Sequence, residues 1–464
     1  ADERDTLVGI ENIIGSLGND TIVGNSLKNI LKGESGNDSL YGNQGNDTLY
    51  GGTGNDYLNG GTDHDTLYGE DGDDTLVGSA GNDVLYGGNH TINLSNDQGT
   101  TAAYIGKGDT ADYSSSSSGI VVNMGANQVL NNSNTWAVSN DGLGGKDYLD
   151  GIENIVGTNY SDNVIGDSNN NYIFGGAGND TLDGGAGNDT LEGGAGNDLF
   201  KASSFDDGDD IFDGEKDGIS DTGIDTVDYS VITDSTYRLE VNLTSGNALI
   251  KSSTNTIHQT DTLRNIENVV GTSGDDTFIG NIENNVFDGG AGSDTVDYSG
   301  MTNNAFVEIN LSSSNTLING KTLLANKAII NSTTIDTDTL YNIENINGTA
   351  YNDIIVGNDL NNTLIGNAGN DILRGGAGND ILDGGDGIDT ADYSDATENL
   401  DVNIADGTKF ISTSQGTDTF SSIEGIIGGS GNDKLTGNAK ANTLIGNAGN
   451  DILDGAGTSL ALVG

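Results

Sequence analysis

Residues Gly175 to Asp183 read Gly-Gly-Ala-Gly-Asn-Asp-Thr-Leu-Asp, and residues Gly184 to Glu192 repeat them as Gly-Gly-Ala-Gly-Asn-Asp-Thr-Leu-Glu. This nine-residue unit returns in five separate blocks, and within a block its register does not slip. In the first block the leading glycines are Gly15, Gly24, Gly33, Gly42, Gly51, Gly60, Gly69, Gly78 and Gly87. A period this strict predicts a repeat architecture in which each unit is one small structural element.

Each unit divides into a turn and a strand. The glycines at positions 1, 2 and 4 predict a tight turn, because glycine tolerates backbone angles that a Cβ forbids. Position 8 is apolar, which predicts a strand of three residues with one side chain pointing inward. One such strand cannot form a core alone, so strands must stack. Two units, 18 residues, then complete one flattened coil, and every second unit lies on the same edge.

Position 6 carries the chemistry, because it is Asp in most units. Stacking brings these carboxylates together without a basic residue in the motif, and apposed carboxylates repel unless a cation lies between them. Backbone carbonyls of the turn face the same gap. Oxygen ligands without His or Cys are typical of calcium sites. The candidate metal ligands are Asp20, Asp38, Asp47, Asp56, Asp65, Asp74, Asp83, Asp162, Asp180, Asp189, Asp198, Asp276, Asp294, Asp353, Asp371, Asp380, Asp389, Asp433 and Asp451.

We expect one Ca²⁺ ion between each two of these aspartates that are 18 residues apart, which predicts at least 11 ions. The expected sites are the gaps 20–38, 38–56, 47–65, 56–74, 65–83, 162–180, 180–198, 276–294, 353–371, 371–389 and 433–451.

The pattern Gly-Gly-x-Gly-x-Asp resembles the RTX (repeats-in-toxin) parallel β-roll. The resemblance covers roughly residues 15–90, 157–215, 271–299, 348–394 and 428–457. It implies an all-β fold of β-roll solenoid blocks in tandem, joined by β-strand and hairpin insertions. It also implies a secreted bacterial protein exported by a type I secretion system. A disordered linker is disfavoured, because a linker does not keep Leu or Ile every nine residues.

The composition is strongly acidic, with 71 acidic against 16 basic residues and a formal net charge of −55. Such charge disfavours nucleic acid as a partner, and it disfavours adsorption on anionic lipid. We also expect no membrane insertion, because no apolar run reaches the length of a membrane-spanning helix. The self-repulsion of the chain should make folding depend on calcium. The chain has no Cys. Metal is then the evident substitute for disulfides in a secreted protein, whereas a reducing compartment is the alternative explanation.

The second unit of every block departs from the pattern, because it carries Asn at position 6 and never Gly at position 4. These residues are Asn29, Asn171, Asn285, Asn362 and Asn442. Asn keeps local hydrogen bonding but drops the charge. We therefore expect a wider turn there, without a full calcium site.

A larger repeat surrounds the blocks. Asp-Tyr-Ser signatures, such as Asp112 to Ser114, are followed by alternating strands and then by Ile-Glu-Asn steps, such as Ile152 to Asn154. We expect β-roll blocks at 1–90, 152–215, 266–299, 343–394 and 423–464, separated by strand insertions at 91–151, 216–265, 300–342 and 395–422. The longest insertion holds Trp136 and the serine run Ser114 to Ser118. We interpret this stretch as a flexible excursion, and a contact loop is the alternative.

No Gly-x-Ser-x-Gly, His-Glu-x-x-His or Walker motif is present, so we expect no enzymatic activity. The three histidines are His64, His90 and His258, and His64 should face solvent. The leading interpretation is a calcium-binding structural protein of the bacterial cell surface, similar to surface-layer proteins and large RTX adhesins. Its expected partners are calcium and further copies of the chain or other cell-surface components. The alternatives are the C-terminal module of a larger secreted lipase, protease or alginate epimerase, and a sugar-binding module.

Overall fold

The computed structural model describes residues 9–89, 108–125, 137–215, 223–302, 305–331, 335–405, 410–411, 415–456 and 460–462. Trp136 and His90 lie outside these residues. The described residues form 49 strands and no helix, which confirms the all-β parallel β-roll fold. Within this part of the chain, no helical segment has the length and apolar character needed to cross a membrane.

The chain forms two compact units, which are described separately. Unit 1 comprises residues 1–231 and 259–266, and unit 2 comprises residues 232–258 and 267–464. The division into nine blocks and insertions stays a prediction, and the block numbers are kept here as labels for those residue ranges.

The strands of unit 1 are β1 (Asn12–Ile14), β2 (Thr21–Val23), β3 (Ile30–Ser35), β4 (Ser39–Gln44), β5 (Thr48–Thr53), β6 (Tyr57–Thr62), β7 (Thr66–Asp71), β8 (Thr75–Ala80), β9 (Val84–Asn89), β10 (Thr110–Asp112), β11 (Val121–Asn123), β12 (Val138–Asn140), β13 (Tyr148–Asp150), β14 (Asn154–Val156), β15 (Asn163–Ile165), β16 (Tyr172–Ala177), β17 (Thr181–Asp183), β18 (Thr190–Ala195), β19 (Leu199–Lys201), β20 (Ile211–Asp213) and β21 (Thr226–Asp228).

Unit 2 contains β22 (Tyr237–Asn242), β23 (Asn247–Ser252), β25 (Asn268–Val270), β26 (Thr277–Ile279), β27 (Val286–Asp288), β28 (Thr295–Asp297), β29 (Phe306–Asn310), β30 (Thr316–Ile318), β31 (Lys321–Leu323), β32 (Lys327–Asn331), β33 (Ile335–Tyr341), β34 (Asn345–Asn347), β35 (Ile354–Val356), β36 (Thr363–Ile365), β37 (Ala368–Gly369), β38 (Ile372–Arg374), β39 (Ile381–Asp383), β40 (Asp386–Gly387), β41 (Thr390–Asp392), β42 (Asp401–Asn403), β43 (Phe410–Ile411), β44 (Thr419–Ser421), β45 (Gly425–Ile427), β46 (Lys434–Thr436), β47 (Asn442–Ile445), β48 (Ile452–Asp454) and β49 (Leu460–Leu462). Strand β24 (Ile257–Arg264) begins in unit 2, and its residues 259–264 belong to unit 1.

Strands one coil apart pair in parallel, with the register that the repeat predicts. In β5 and β7, Thr48 pairs with Thr66 and Leu49 with Leu67, a step of 18 residues. The position-8 leucines of the first block are fully buried, while the residues on either side of most of them are half-buried. The core therefore consists of stacked inward side chains, one from each short strand.

The predicted strand length is wrong in the first block, where β3 to β9 each contain six residues. These strands continue through the first glycines of the next unit, because Gly52 and Thr53 also pair with the coil above. The glycine is needed there: Gly52 has a φ of 118°, and an added Cβ would lie 2.2 Å from the Glu34 carbonyl oxygen. Elsewhere most repeat strands have the expected three residues.

The insertions take part in the stack. In unit 2, β22 pairs antiparallel with β23 and parallel with the repeat strand β26. Strand β29 likewise pairs antiparallel with β32 and parallel with β35. A hairpin strand therefore takes the place of a repeat strand in the sheet.

Three serines of the run Ser114 to Ser118 form hydrogen bonds with a distant part of the same insertion. Ser116 is buried, and its hydroxyl donates a hydrogen bond of 2.7 Å to the Asp141 carbonyl oxygen. The hydroxyls of Ser117 and Ser118 both donate to the Gly142 carbonyl oxygen at 3.2 Å. The interpretation of the whole stretch as a flexible excursion stays a prediction, but these three serines bond to a distant part of the same insertion. Its sequence signal was composition alone, which does not reveal partners some 25 residues away.

Candidate calcium sites

Aspartates on the same edge of the stack are joined by a repeated hydrogen bond. The Asp38 backbone N–H donates to Asp56 Oδ1 at 2.7 Å, and the Asp56 N–H donates to Asp74 Oδ1 at 2.7 Å. Each carboxylate therefore accepts a backbone hydrogen bond from the preceding coil and links two consecutive coils. We call such a row of acidic and Asn side chains a column.

The first four blocks each have two columns, of which the first starts with Asp and the second with Asn, and the fifth block has one column among the described residues. The first columns are Asp20-Asp38-Asp56-Asp74-Asp109-Glu153, Asp162-Asp180-Asp198-Asp225, Asp276-Asp294-Glu344, Asp353-Asp371-Asp389-Glu424 and Asp433-Asp451. The second columns are Asn29-Asp47-Asp65-Asp83-Asp147, Asn171-Asp189-Asp210-Asp261, Asn285-Asp338 and Asn362-Asp380-Asp418. Asn442 occupies the equivalent starting position in the fifth block.

For most aspartates inside a column, the second carboxylate oxygen is buried and has no hydrogen-bond partner among the described residues. These Oδ2 atoms belong to Asp38, Asp47, Asp56, Asp65, Asp74, Asp83, Asp109, Asp180, Asp189, Asp294, Asp371, Asp380 and Asp389. A buried unpartnered carboxylate oxygen is costly, and it needs a cation or a proton nearby. A repeated orphan oxygen is therefore the feature that points to metal.

Main-chain oxygens approach the same space. An ideal Cβ on Gly33 would lie 2.2 Å from Asp38 Oδ2 and 2.5 Å from the Gly51 carbonyl oxygen. The same geometry recurs at Gly51, with Asp56 Oδ2 at 2.4 Å and the Gly69 carbonyl oxygen at 2.7 Å. Position 1 must be Gly here because a side chain would displace both oxygens.

Burial raises the pKa of several carboxylates within the columns, so that these groups resist ionisation when no metal is present. Burial raises the pKa of Asp65 to about 7, and the neighbouring Asp47 charge raises it further. Burial, followed by the charge of Asp38, raises the pKa of Asp56 to about 6. Burial raises the pKa of Asp180 to about 8, with Asp198 and Asp162 adding repulsion. Any cation that neutralises these groups would relieve both effects.

The available ligands fit calcium. Among the residues that the structure describes, no three His, Cys, Asp or Glu side chains form a cluster able to hold a metal ion. The donors that do converge are a carboxylate oxygen and carbonyl oxygens from adjacent coils, as at Gly33. Calcium accepts such mixed oxygen ligands in flexible number.

The first aspartate of a column differs from those inside it, because the protein itself satisfies the carboxylate. Asp353 Oδ2 accepts the Thr349 N–H at 2.6 Å, and Oδ1 accepts both the Val307 N–H and the Thr349 hydroxyl. Asp162 and Asp276 have the same arrangement, with Thr158 and Thr272 as donors. Asp433 accepts N–H groups from Gly429 and Leu400, and Asp20 accepts one from Ser16. Calcium ligation by these five residues stays a prediction.

The Asn units close their turns without a free oxygen. Asn362 Oδ1 accepts the Asn358 N–H at 2.9 Å, while its Nδ2 donates to the Glu344 carbonyl oxygen at 2.8 Å. Asn29, Asn171 and Asn285 make the equivalent pair of bonds. The amide N–H₂ of each Asn thus donates to the main-chain carbonyl oxygen of the residue 18 positions earlier, which an Asp in the same place would face without a donor.

Columns end in side chains that sequence reasoning missed. Tyr113, Tyr229, Tyr298 and Tyr393 of the Asp-Tyr-Ser signatures are buried, and their hydroxyls donate to Oδ2 of Asp147, Asp261, Asp338 and Asp418. Glu153, Glu344 and Glu424 of the Ile-Glu-Asn steps accept the N–H of the last aspartate in the first columns. The available signal was the Asp-Thr-Leu-like tripeptide at these aspartates, which keeps positions 6 to 8 of the repeat without its glycines.

The remaining predicted ligands lie in the columns as well. Asp198 Oδ1 accepts the Asp180 N–H at 2.8 Å, and Asp451 Oδ1 accepts the Asp433 N–H at 2.9 Å. Asp451 is only half-buried. His64 is exposed, as expected, and its Nδ1 accepts the Asn82 N–H at 2.8 Å.

The comparison with protein families agrees with this geometry. A family model described as the RTX calcium-binding nonapeptide repeat, in four copies, matches residues 5–26, 23–58, 59–89, 147–182, 165–200, 174–208, 183–217, 266–300, 339–359, 356–391 and 427–457. Together the matched residues exceed half of the chain. No curated protein was matched by its sequence.

Proposed function

This chain belongs to the family of proteins with RTX calcium-binding nonapeptide repeats, and we propose that it is a secreted structural protein of the bacterial cell surface. In this proposal it is of surface-layer or adhesin type, without enzymatic activity. It leaves the cell by type I secretion, then folds and assembles with further copies of itself on binding extracellular calcium.

The observation that carries the proposal is the set of buried, unpartnered Oδ2 atoms inside the columns. Calcium held by these carboxylates and by turn carbonyls, such as that of Gly51, would supply the missing positive charge. Extracellular calcium modules work at about 10⁻⁴ to 10⁻³ M, whereas weak sites stay empty at the low free calcium of the cytosol. The chain would then remain unfolded for export and fold outside.

The structural role is supported by how the chain distributes its carboxylates. The acidic groups with free oxygens recur along columns, as in Asp38, Asp56 and Asp74, rather than converging in one cleft. The insertions continue the same stack through strands such as β22 and β29. Such a layout favours a scaffold that is stiffened by many ions over a single reactive centre.

Sedimentation velocity of the full chain tests the proposal in EGTA, in millimolar calcium and in magnesium as the control. We expect an expanded monomer in EGTA and in magnesium, and compact species that associate further in calcium. A chain that binds calcium and becomes compact but stays monomeric at all concentrations would contradict the structural assembly. A chain that is equally compact in EGTA would contradict folding on calcium.

A further inference from the structure

The second column of the first block ends in an incomplete pair of carboxylates. Asp83 Oδ2 is buried and has no hydrogen-bond partner among the residues that the structure describes. Both oxygens of the next member, Asp147, already accept a hydrogen bond, Oδ1 from the Asp83 N–H at 3.0 Å and Oδ2 from the Tyr113 hydroxyl at 3.1 Å. A cation beside Asp83 would therefore need another acidic ligand.

Asp141 lies in the same coil as Asp147 but outside position 6 of the repeat. Its residue is 0% exposed, and Oδ1 accepts the Leu143 and Gly145 N–H groups at 2.7 and 2.8 Å. Ser116 donates to its carbonyl oxygen, so the backbone is fixed as well. Asp141 Oδ2 nevertheless has no hydrogen-bond partner among the described residues.

The free oxygen of Asp141 faces other oxygens. An ideal Cβ on Gly145 would lie 2.5 Å from Asp141 Oδ2 and 1.4 Å from the Gly81 carbonyl oxygen. Burial, together with the charges of Asp147, Asp65 and Asp141, raises the pKa of Asp83 to about 9. Burial and the Asp141 charge also raise the pKa of Asp147 to about 7. These carboxylates are thus close enough to repel each other in a buried place.

A second buried carboxylate outside position 6 lies in the second block, beside Asp189, which Asp210 and then Asp261 follow in the column. Asp207 is buried, and its Oδ2 accepts the Ser203 and Ser204 N–H groups at 2.6 and 2.7 Å. Its Oδ1 has no partner of hydrogen-bond geometry among the described residues, although the Gln259 side chain is near enough to lower the pKa of Asp207 against the effect of burial. Its carbonyl oxygen accepts the Gly187 N–H at 2.5 Å, which stacks this turn on the turn of Asp189. Asp189 Oδ2 is also unpartnered, and its pKa is raised to about 7 by burial and then by the Asp207 charge.

We propose that Asp141 and Asp207 are calcium ligands outside the repeat, which complete cation sites with Asp83 and Asp189 respectively. In the first block the Tyr113 hydroxyl occupies Oδ2 of Asp147, and Asp141 supplies a carboxylate in its place. In the second block the next column member after Asp189 is Asp210, and Asp207 adds a carboxylate beside Asp189. The inference rests on calcium binding in the proposed function, and it adds two sites that the nonapeptide pattern does not contain.

Native mass spectrometry of the calcium-loaded full chain tests it with Asp141→Asn, Asp207→Asn and the double variant. Asn keeps one acceptor oxygen for the turn but removes the carboxylate. Asp206→Asn is the matched control, because Asp206 is adjacent to Asp207 and exposed. We expect each single variant to lose one calcium ion, the double variant to lose two, and the control to lose none.

Circular dichroism in saturating calcium verifies that the variants fold, and Asp141→Ser provides a second variant whose hydroxyl can still accept a turn N–H. If Asp141→Asn and Asp141→Ser both keep the wild-type number of ions, the inference is wrong at Asp141, and an unchanged count in Asp207→Asn rejects it at Asp207. A wild-type chain that binds no calcium would instead overturn the proposed function. A control that loses an ion would show that the loss follows from surface charge alone.

Discussion

The first and third blocks use the same repeat but differ in how their carboxylates are satisfied. In the first block, six predicted ligands have a buried Oδ2 without a partner among the described residues: Asp38, Asp47, Asp56, Asp65, Asp74 and Asp83. In the third block, Asp294 is the one predicted ligand of this kind within the described residues. Most of the predicted ligands in the first block lie inside a column, whereas the column residues of the third block lie mostly at column ends.

In the third block, hydrogen bonds from the protein itself satisfy the carboxylates at the column ends. Thr272 donates through both its N–H and its hydroxyl to Asp276, and the Tyr298 hydroxyl donates to Asp338 Oδ2 at 2.9 Å. Phe278 and Phe287 stack in its core with ring centroids 5.2 Å apart, where the first block has leucines. The comparison teaches that dependence on calcium should follow the number of unpartnered carboxylates, rather than the number of glycine-rich repeats.

The largest expected effect is the response of the two blocks to chelation. One ion present at 100 times its dissociation constant stabilises a fold by about 2.7 kcal/mol, so several sites in the first block outweigh one in the third. In EGTA, we expect residues 38–83 to lose amide protection, while residues 276–298 keep part of theirs. Hydrogen exchange with mass spectrometry measures both segments in one sample. Equal loss of protection in the two segments would break the comparison.

The second test compares an interior aspartate with an Asn unit in the two columns of the fourth block. Asp371 lies between Asp353 and Asp389, and its Oδ2 has no hydrogen-bond partner within the described part of the chain. We expect Asp371→Asn to weaken calcium binding at both adjacent gaps, by about tenfold or more, because one ligand charge is shared by two sites. Calcium titration calorimetry in magnesium-containing buffer measures the change.

The matched variant of that experiment is Asn362→Asp. It removes the amide that donates to the Glu344 carbonyl oxygen and places a carboxylate there, one coil from Asp380. We expect an added or tighter calcium ion, with lower stability when calcium is removed. Equal and small effects of the two substitutions would contradict the column account of this block.

The third test concerns the tyrosine that closes a column. Tyr298→Phe leaves Asp338 Oδ2 buried without its donor. Loss of such a partner costs about 1–3 kcal/mol, and we expect this decrease in the stability of the third block even in EGTA. Hydrogen exchange across residues 276–298 measures it, and Tyr160→Phe is the control because Tyr160 is exposed. Unchanged protection in Tyr298→Phe would mean that the hydroxyl contributes nothing to the block's stability.

The smallest expected effect is a recovery of structure in acid when calcium is absent. Burial raises the pKa of Asp65 and Asp74 to about 7 and of Asp83 to about 9, so the folded chain binds more protons than the unfolded chain in this range. The resulting stability is fully present below the unfolded-state pKa of 3.8 and is lost as the pH rises from there through the folded-state values of about 7 to 9. In EGTA, we expect the β-sheet signal to increase from pH 8 to pH 5 in circular dichroism. A decrease over this range would contradict the assigned burial of the carboxylates.

The periodic part of this molecule could be predicted from the sequence, because its signals are local and repeated. Leu49 and Leu67 occupy the same position of units 18 residues apart, and they pair in the structure as the period requires. The proximity of Asp38 and Asp56 follows from the same spacing of 18 residues. Periodicity also predicts which units lie above one another, and so which carboxylates approach.

The column ends could not be predicted in this way, since their partners are distant in the chain and break the period. Tyr113 and Asp147 are 34 residues apart, and the local sequence around one residue does not indicate the other as its partner. Asp141 lies outside position 6, so only its burial and its unpartnered oxygen distinguish it from surface aspartates. Strand length in the first block was missed because glycine, which disfavours strands, here permits close pairing between coils.

The central claim is that calcium lies beside the unpartnered oxygens inside the columns and is absent from the tyrosine-capped ends. Anomalous diffraction from crystals grown in calcium locates the ions directly. The account predicts peaks about 2.3–2.6 Å from Oδ2 of Asp38, Asp56, Asp65 and Asp371, and none at that distance from Oδ2 of Asp147 or Asp338. Water at the first four positions, or calcium bound at the last two, would contradict it.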